Sequence, residues 1–219
     1  MAPVPRVALA TFAELPDGWV KDELAVCRRL GAAGIEAGFA AWDDPEVDWD
    51  AYDLVVIRNT WNYSRQRDRF VAWARRIGER LRNGPELVAW NSDKAYLSDL
   101  AAAGVPTAPT RFVGPGDPLP RLDGEVAVKP TVSAGARDTG RFSPSHHAEA
   151  TALIERIIAS GRTAMVQPYL RSVDRLGETA IVHIGGIESH VLRKRGVLRP
   201  DEVAPVVEDA LGAAAAMHG

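Results

Sequence analysis

Val126-Ala127-Val128-Lys129-Pro130-Thr131-Val132-Ser133-Ala134-Gly135-Ala136-Arg137-Asp138-Thr139 is the stretch on which the reading of this chain turns. Its first five residues spell a short apolar strand with one lysine in it, and the rest is a loop of small residues. An ammonium on such a strand must meet a counter-charge or a ligand, because leaving it unpaired away from water costs several kcal/mol. The small residues let backbone N–H groups approach a ligand without side-chain clash. A second lysine, Lys94, follows Asn91-Ser92-Asp93 at a helix start. Alone it reads as a solvated lysine; with Lys129 it forms a pair flanking the loop, and lysine is a point charge suited to phosphate oxygens. That combination suits a nucleotide triphosphate. Neither G-x-x-x-x-G-K-[ST] nor a G-x-G-x-x-G after a strand occurs, so the commonest phosphate loops are excluded.

Bulk properties bound the answer. The 219 residues are 46% hydrophobic and 25% charged, enough for one large or two small cores. A net charge of -3 supplies no basic field for nucleic acid or an acidic membrane. One cysteine, Cys27, excludes an internal disulfide framework and a multi-cysteine zinc site; at helical spacing with Val20, Leu24 and Leu30 it reads as a buried small hydrophobe. No apolar run approaches the roughly 20 residues of a membrane span. Met1-Ala2-Pro3-Val4-Pro5-Arg6 lacks a charged region ahead of an apolar one, so no signal peptide is expected and the protein reads as cytoplasmic.

Outward from the lysine strand, the chain has two unlike halves. The first holds all six tryptophans (Trp19, Trp42, Trp49, Trp61, Trp73 and Trp90). The spacing predicts strands at Val7–Phe12, Ile35–Trp42 and Asp53–Arg58. It predicts helices at Asp22–Leu30, closed by Gly31 or Gly34, and near Gln66–Arg80, with Phe70, Trp73, Ala74, Ile77 and Leu81 on one face. Strand–helix alternation predicts a parallel sheet covered on both faces. Asp43-Asp44-Pro45-Glu46 reads as a solvated acidic turn.

From Leu87 the pattern changes. A short strand is expected at Val88–Trp90, a helix at Asp93–Ala103 capped by Gly104, an extended Val105–Thr110 and a loop at Gly114–Pro118. After the lysine strand come a helix, Ala148–Ser160, and a strand, Thr163–Gln167. Strands Glu178–Ile184 and Ile187–Lys194 are joined by Gly185-Gly186, a strong hairpin signal. A helix is read over Glu202–Met217. This half is an antiparallel α+β unit, and the whole is divided at 1–89, 90–168 and 169–219.

Four motifs fall in an order that resembles the ATP-grasp ligases: Lys94, Lys129 with its loop, Gln167-Pro168-Tyr169-Leu170, and Gly177-Glu178. The likeness is to the glutathione-synthetase and D-alanine–D-alanine ligase branch, with an ATP-grasp fold of α/β (α+β) class. More narrowly, Arg58-Asn59-Thr60-Trp61-Asn62-Tyr63, Trp90-Asn91-Ser92-Asp93-Lys94 and Val132-Ser133-Ala134-Gly135 resemble the actinobacterial cycloserine synthetases (O-ureido-D-serine cyclo-ligases). The resemblance covers residues 6 to about 195. It implies that Lys94 and Lys129 hold the α- and β-phosphates of ATP, and that Ser133, Ala134 and Gly135 close over them. Gln167, Pro168, Tyr169 and Leu170 become the hinge strand whose backbone reads the adenine edge. Glu178 accepts from the ribose hydroxyls, with Asp174 as a second acceptor. Lys194 meets the γ-phosphate, or is a solvated strand-end lysine beside Arg193 and Arg195.

Arg58, Thr60, Trp61 and Tyr63 sit just past the carboxyl end of a parallel strand, where open α/β sheets place ligands. Arginine suits bidentate capture of a substrate carboxylate, and aromatics can exclude water; Trp61 and Tyr63 can also simply cap and pack locally. Arg137 and Arg141, near the small loop, either balance transition-state charge or stand exposed, and Arg137 is counted with Lys129 and Lys194 as catalytic. His146-His147 has no companion ligands, and His183 and His190 on the hairpin read as packed or satisfied.

The implied chemistry is ligation of a small amino-acid-like substrate through an acyl phosphate, with ATP and Mg2+, and with positioning and charge rather than an enzyme nucleophile doing the work. The family holds Mg2+ on its last strands with acidic and amide side chains. After Lys194 no such set appears; Asp201, Glu202, Glu208 and Asp209 fall on the expected last helix or its approach. The expectation is that the metal-bearing strands belong to further chain. The alternative is a binding module of the same fold without catalytic activity. Nucleic acid and membrane are not expected partners, and a homo-oligomer is left open.

Overall fold

Alternation in the first half builds four parallel strands, β1 (Arg6–Thr11), β2 (Glu36–Ala41), β3 (Leu54–Ile57) and β4 (Leu81–Arg82), in the order β2-β1-β3-β4. Helices α1 (Lys21–Ala32), α2 (Arg67–Ile77) and α3 (Pro85–Asn91) accompany them. The computed structural model describes residues 3–16, 18, 20–196 and 198–203. The chain divides into two compact units, Met1–Tyr96 and Leu97–Gly219. In the first, Phe70, Val71, Trp73, Ala74 and Ile77 of α2 are buried together with Leu9, Val55, Trp42, Trp49 and Leu81. Trp42, Trp49, Phe70 and Trp73 pack ring on ring, with centroids 4.9–6.1 Å apart, an arrangement in which aromatic edges and faces attract.

Three local expectations change here. Val88–Trp90 is helical, not a strand: Pro85 is pre-set for a first helical turn, Glu86 follows it, and so short an apolar run cannot by itself distinguish the two states. The fourth strand is instead Leu81–Arg82, so Leu81 leaves the α2 face and is buried in the sheet. On α1, Cys27 is half-buried rather than buried, and Leu24 and Val26 are exposed; the buried side chain is Glu23.

The second unit holds α4 (Tyr96–Ala102), which starts at the boundary and ends at Gly104 with φ 78°. Asp93 lies ahead of that helix and accepts from the Ala95 N–H at 2.9 Å. The main sheet consists of β5 (Arg111–Val113), β6 (Val126–Pro130), β7 (Gly140–Phe142), β8 (Ala164–Pro168) and a two-residue strand, Glu202–Val203. Every pairing is antiparallel, in the order Glu202–Val203, β7, β6, β8, β5. The helix expected over Glu202–Met217 is corrected at its first two residues, which extend the sheet because Val203 pairs with Gly140; the remainder lies outside the described residues. Helix α5 (His147–Ala159) packs Ala150, Leu153, Ile154 and Ile157 on Val113, Val126, Val128, Phe142, Ala164 and Val166. Helix α6 (Ser172–Leu176) then leads into the hairpin of β9 (Glu178–Ile184) and β10 (Ile187–Lys194). No helix among the described residues is long and apolar enough to cross a membrane.

Candidate functional site

Strand register sorts the main sheet into two faces. Side chains alternate along a strand, and directly paired residues share a side. Val126, Val128 and Pro130 are buried, the two valines within the α5 core. Ala127 and Lys129 therefore point away from α5, with Met165 opposite Lys129, and Gln167 and Arg141 both opposite Ala127. One step further along the same face, Tyr169 donates its backbone N–H to the Glu125 carbonyl at 2.8 Å. The face opposite α5 thus carries Lys129, Gln167, Arg141, Glu125 and Tyr169 in successive rows.

Lys129 is half-buried. Burial pulls its pKa below the ordinary lysine value, and the negative charge of Glu178 opposes that fall. Glu178 opens β9 and pairs directly with Lys194, the last residue of β10, so the register puts those two side chains on one side of the hairpin. Gly177 makes the turn into β9 at φ 70°, and a Cβ there would collide with the Lys194 carbonyl. Glu178 and Lys194 thus share one side of the hairpin's root, and Lys129 feels the charge of Glu178.

The small loop is wound tightly. Gly135, Ala136 and Asp138 have φ of 62°, 57° and 52°, a left-handed region that alanine visits only when its surroundings insist. Asp138 supplies part of that insistence: it is buried, ion-paired to Arg162 at 2.7 Å, and 3.9 Å from Arg156 of α5. Ser133 and Ala134 lie half-buried and Gly135 exposed on the same loop. Arg137 is half-buried there as well.

Arg141 is neither exposed nor free to balance a substrate's charge. Its side chain is 7% exposed, and it donates to Glu125 at 2.7 Å and to both oxygens of Asp174 at 2.8 and 2.9 Å. Its guanidinium lies over the Tyr169 ring, 3.6 Å from the centroid. Tyr169 donates its hydroxyl to Asp174 at 2.7 Å. Both oxygens of Asp174, read from the resemblance as a second ribose acceptor, are thus engaged within the protein, on a side chain that is 45% exposed. The Tyr169 and Arg141 hydrogen bonds hold its carboxyl below the usual range. Burial pushes Glu125 upward, but its bonds to Arg141 and Arg171 outweigh it and the net direction is down. Gln167 is buried and donates to the Thr110 hydroxyl at 2.7 Å, while Pro168 and Leu170 are exposed.

In the first unit the strand order reverses between β1 and β3, the kind of switch point at which open sheets bind ligands. Arg58 follows β3 there and is 40% exposed, and its Nε and Nη2 donate to Glu23 Oε1 at 3.3 and 3.0 Å. Thr60 and Asn59 are buried, and Trp61 is 41% exposed. Tyr63 packs on Phe70 with centroids 5.3 Å apart, and burial, reinforced by nearby Tyr96, raises its phenol pKa. Local packing is thus the structural part of the Tyr63 assignment. Asp43, expected in a solvated turn, instead accepts from the Ala13 N–H at 2.9 Å and from Asn62 at 2.7 Å. Asn62 in turn accepts from the Trp42 indole at 2.7 Å. Lys94 is half-buried in the turn after α3, where Arg67 donates to Ser92 at 2.9 Å and to the Ala89 carbonyl at 2.7 Å.

Glu23 and Glu125 escaped the sequence reading, and Asn62 and Asp138 were quoted there only as members of motifs, without a role of their own. One signal was present: Glu23 interrupts the stripe of Val20, Cys27 and Leu30 with an acid. Two histidines have structural partners, His146 beside Asp201 at 3.1 Å and His147 on the Gly124 carbonyl at 2.8 Å, whereas His183 and His190 are exposed on the hairpin rather than packed. Among the described residues no group of three or more His, Cys, Asp or Glu is placed to hold a metal ion.

Comparison with known proteins gives the following. Residues 7–83 match the family described as D-cycloserine synthetase DcsG, N-terminal domain. The chain is 37% identical over 190 residues to the cycloserine biosynthesis protein DcsG of Streptomyces lavendulae, covering 81% of this chain and 62% of that relative. The chain thus spans less than two thirds of the length of the curated relative it matches. The crystal structure of D-cycloserine synthetase DcsG superposes with a TM-score of 0.79 at 33% identity, covering 90% of this chain and 70% of that one. An ATP-grasp RimK domain protein from Sphaerobacter thermophilus gives a TM-score of 0.61 at 19% identity, covering 95% and 80%, and speaks for the fold alone.

Proposed function

The chain belongs to the D-cycloserine synthetase family of ATP-grasp proteins, and from that premise we propose that it is an ATP-dependent carboxylate–amine ligase for a small amino-acid-like substrate. A cyclo-ligase, with both reacting groups on one molecule, is the narrower form of this reading, and the cytoplasm is its setting. The supporting observation is Lys129, a half-buried ammonium on the sheet face opposite α5, next to a loop wound through left-handed residues. Such a cation gains more from a polyphosphate than an exposed lysine does, because burial strengthens its Coulomb interactions.

In this reading Lys94 and Lys129 take phosphate oxygens, the Ser133–Gly135 backbone covers them, and Arg137 and Lys194 neutralise charge at the transferred group. Gln167, Pro168, Tyr169 and Leu170 line the adenine edge, and Glu178 takes the ribose. Arg58, with Thr60, Trp61 and Tyr63 beside it, is the substrate's carboxylate dock. The substrate carboxylate oxygen bonds to the γ-phosphorus as the bond to the bridging oxygen breaks and ADP leaves. The amine nitrogen then bonds to the acyl carbon, phosphate departs with the C–O electron pair, and the nitrogen gives up a proton. A second reading is a nucleotide-binding module of the same fold without turnover.

The test is titration with ATP and Mg2+, read as thermal protection. Lys129→Ala should weaken binding roughly 10- to 100-fold, the range of one charge-assisted hydrogen bond; unchanged protection in that variant would sink the assignment. ADP release that depends on an amino-acid-like substrate supports the ligase, and protection without it supports the module.

A further inference from the structure

The hairpin of β9 and β10 is exposed along most of its length, with Ile181, Ile184, Ile187, Val191 and Leu192 each 46–75% exposed. Its placement must therefore come from its root, where Tyr169, Leu170 and α6 lead from β8 to Gly177. Arg141 binds that root to the sheet. One guanidinium on β7 reaches Glu125 ahead of β6, the ring of Tyr169 after β8, and the carboxylate of Asp174 on α6. Ala127, between Arg141 and Gln167 in the register, leaves room for the long side chain to cross the sheet. Arg171 closes the cluster on the other oxygen of Glu125 at 2.8 Å. Two cations meet two carboxylates, so the cluster has no net charge with which to attract an anion. The Nε, Nη1 and Nη2 atoms of Arg141 are all committed within it.

We propose that Arg141 is a positioning residue for the nucleotide site, fixing the Gln167–Leu170 segment and, through Asp174 and α6, the Glu178 carboxylate against Lys129. This rests on the nucleotide reading above and assigns Arg141 no contact with the ligand. An ion cluster of this kind is directional where an apolar plug is not. The planar fork sets the angle between the sheet and α6, and lysine cannot reproduce it.

The test compares wild type, Arg141→Met, Glu178→Gln and the double variant by fluorescent ATP-analogue binding, alongside amide hydrogen exchange without nucleotide. Arg141→Met should weaken binding about tenfold and speed exchange of residues 170–177 at least tenfold, with residues 6–82 unchanged. Adding Glu178→Gln to it should weaken binding no further than the larger single effect, since coupled positions are not additive. Independent, multiplying effects or an unchanged affinity in Arg141→Met would overturn the proposal. Tyr169→Phe, which removes only the hydroxyl bond to Asp174, gives a milder perturbation should Arg141→Met fail to fold; about threefold weaker binding is expected, and none counts against it. If wild type binds no nucleotide, the reading beneath fails instead, and the exchange arm still decides whether Arg141 holds α6.

Discussion

A single oxygen of Glu23, on a side chain only 6% exposed, accepts two hydrogen bonds from Arg58, whose own side chain is 40% exposed. The pair is asymmetric. Removing the arginine strands a charge that water barely reaches; removing the glutamate leaves a guanidinium that water can solvate. Arg58→Ala should cost about 3 kcal/mol and Glu23→Ala about 1 kcal/mol in urea unfolding at neutral pH. Equal costs would show that the carboxylate is well solvated without its partner.

Asn62 joins two otherwise separate loops, accepting from the buried Trp42 indole and donating to Asp43. Asn62→Ala leaves both without that partner and should lower stability by about 2 kcal/mol. Asn62→Asp keeps the acceptor but sets a carboxylate against Asp43, and it should recover stability only as the medium is acidified. Denaturation midpoints at two pH values check both expectations.

The Asp138–Arg162 pair anchors the small loop to the segment following α5. Asp138→Asn preserves a residue that tolerates positive φ while discarding the charge. Global stability should fall by no more than about 1 kcal/mol, while ATP affinity falls several-fold because the loop loses its tether. A calorimetric binding series beside a melting curve separates the two effects.

Tyr169 carries a pH signature. Burial first, and then its bond to Asp174, push its phenol from 10.0 up to about 12 against the pull of Arg141. A phenol that holds its proton more tightly when folded stabilises the fold fully below its unfolded pKa. That contribution is lost as the pH climbs from 10 toward 12. Subtracting the tyrosinate absorbance of Tyr169→Phe from that of wild type should show an ionisation step near the upper end of this window. Asp174→Asn should bring the step back toward 10.

The elements with strong periodicity were legible in the sequence. The hairpin was visible with both its ends because Gly185-Gly186 fixes the turn, and α5 because its apolar stripe is unbroken. Val88–Trp90 misled because Pro85 and Glu86 decide the state of a run that is itself ambiguous. In the site, Lys129 stood out as a charge among apolar neighbours. Its supporting cluster did not: Asp174 and Arg141 were noticed separately and for other roles, Glu125 looked like an ordinary surface charge, and only the sheet register brings the three together. Glu23 was hidden for the same reason: its counter-ion is 35 residues away.

The ring-on-ring packing of Trp42, Trp49 and Trp73 has an optical consequence. Indoles 5.2–6.1 Å apart exchange excitation before they emit, so the cluster glows as one coupled chromophore rather than three. All six tryptophans lie at or before Trp90, which leaves the half carrying Lys129 dark in indole emission. Melting followed by that emission therefore tracks the first unit alone, and melting followed by backbone dichroism tracks both. The gap between the two curves reads out, without any label, whether the halves unfold together.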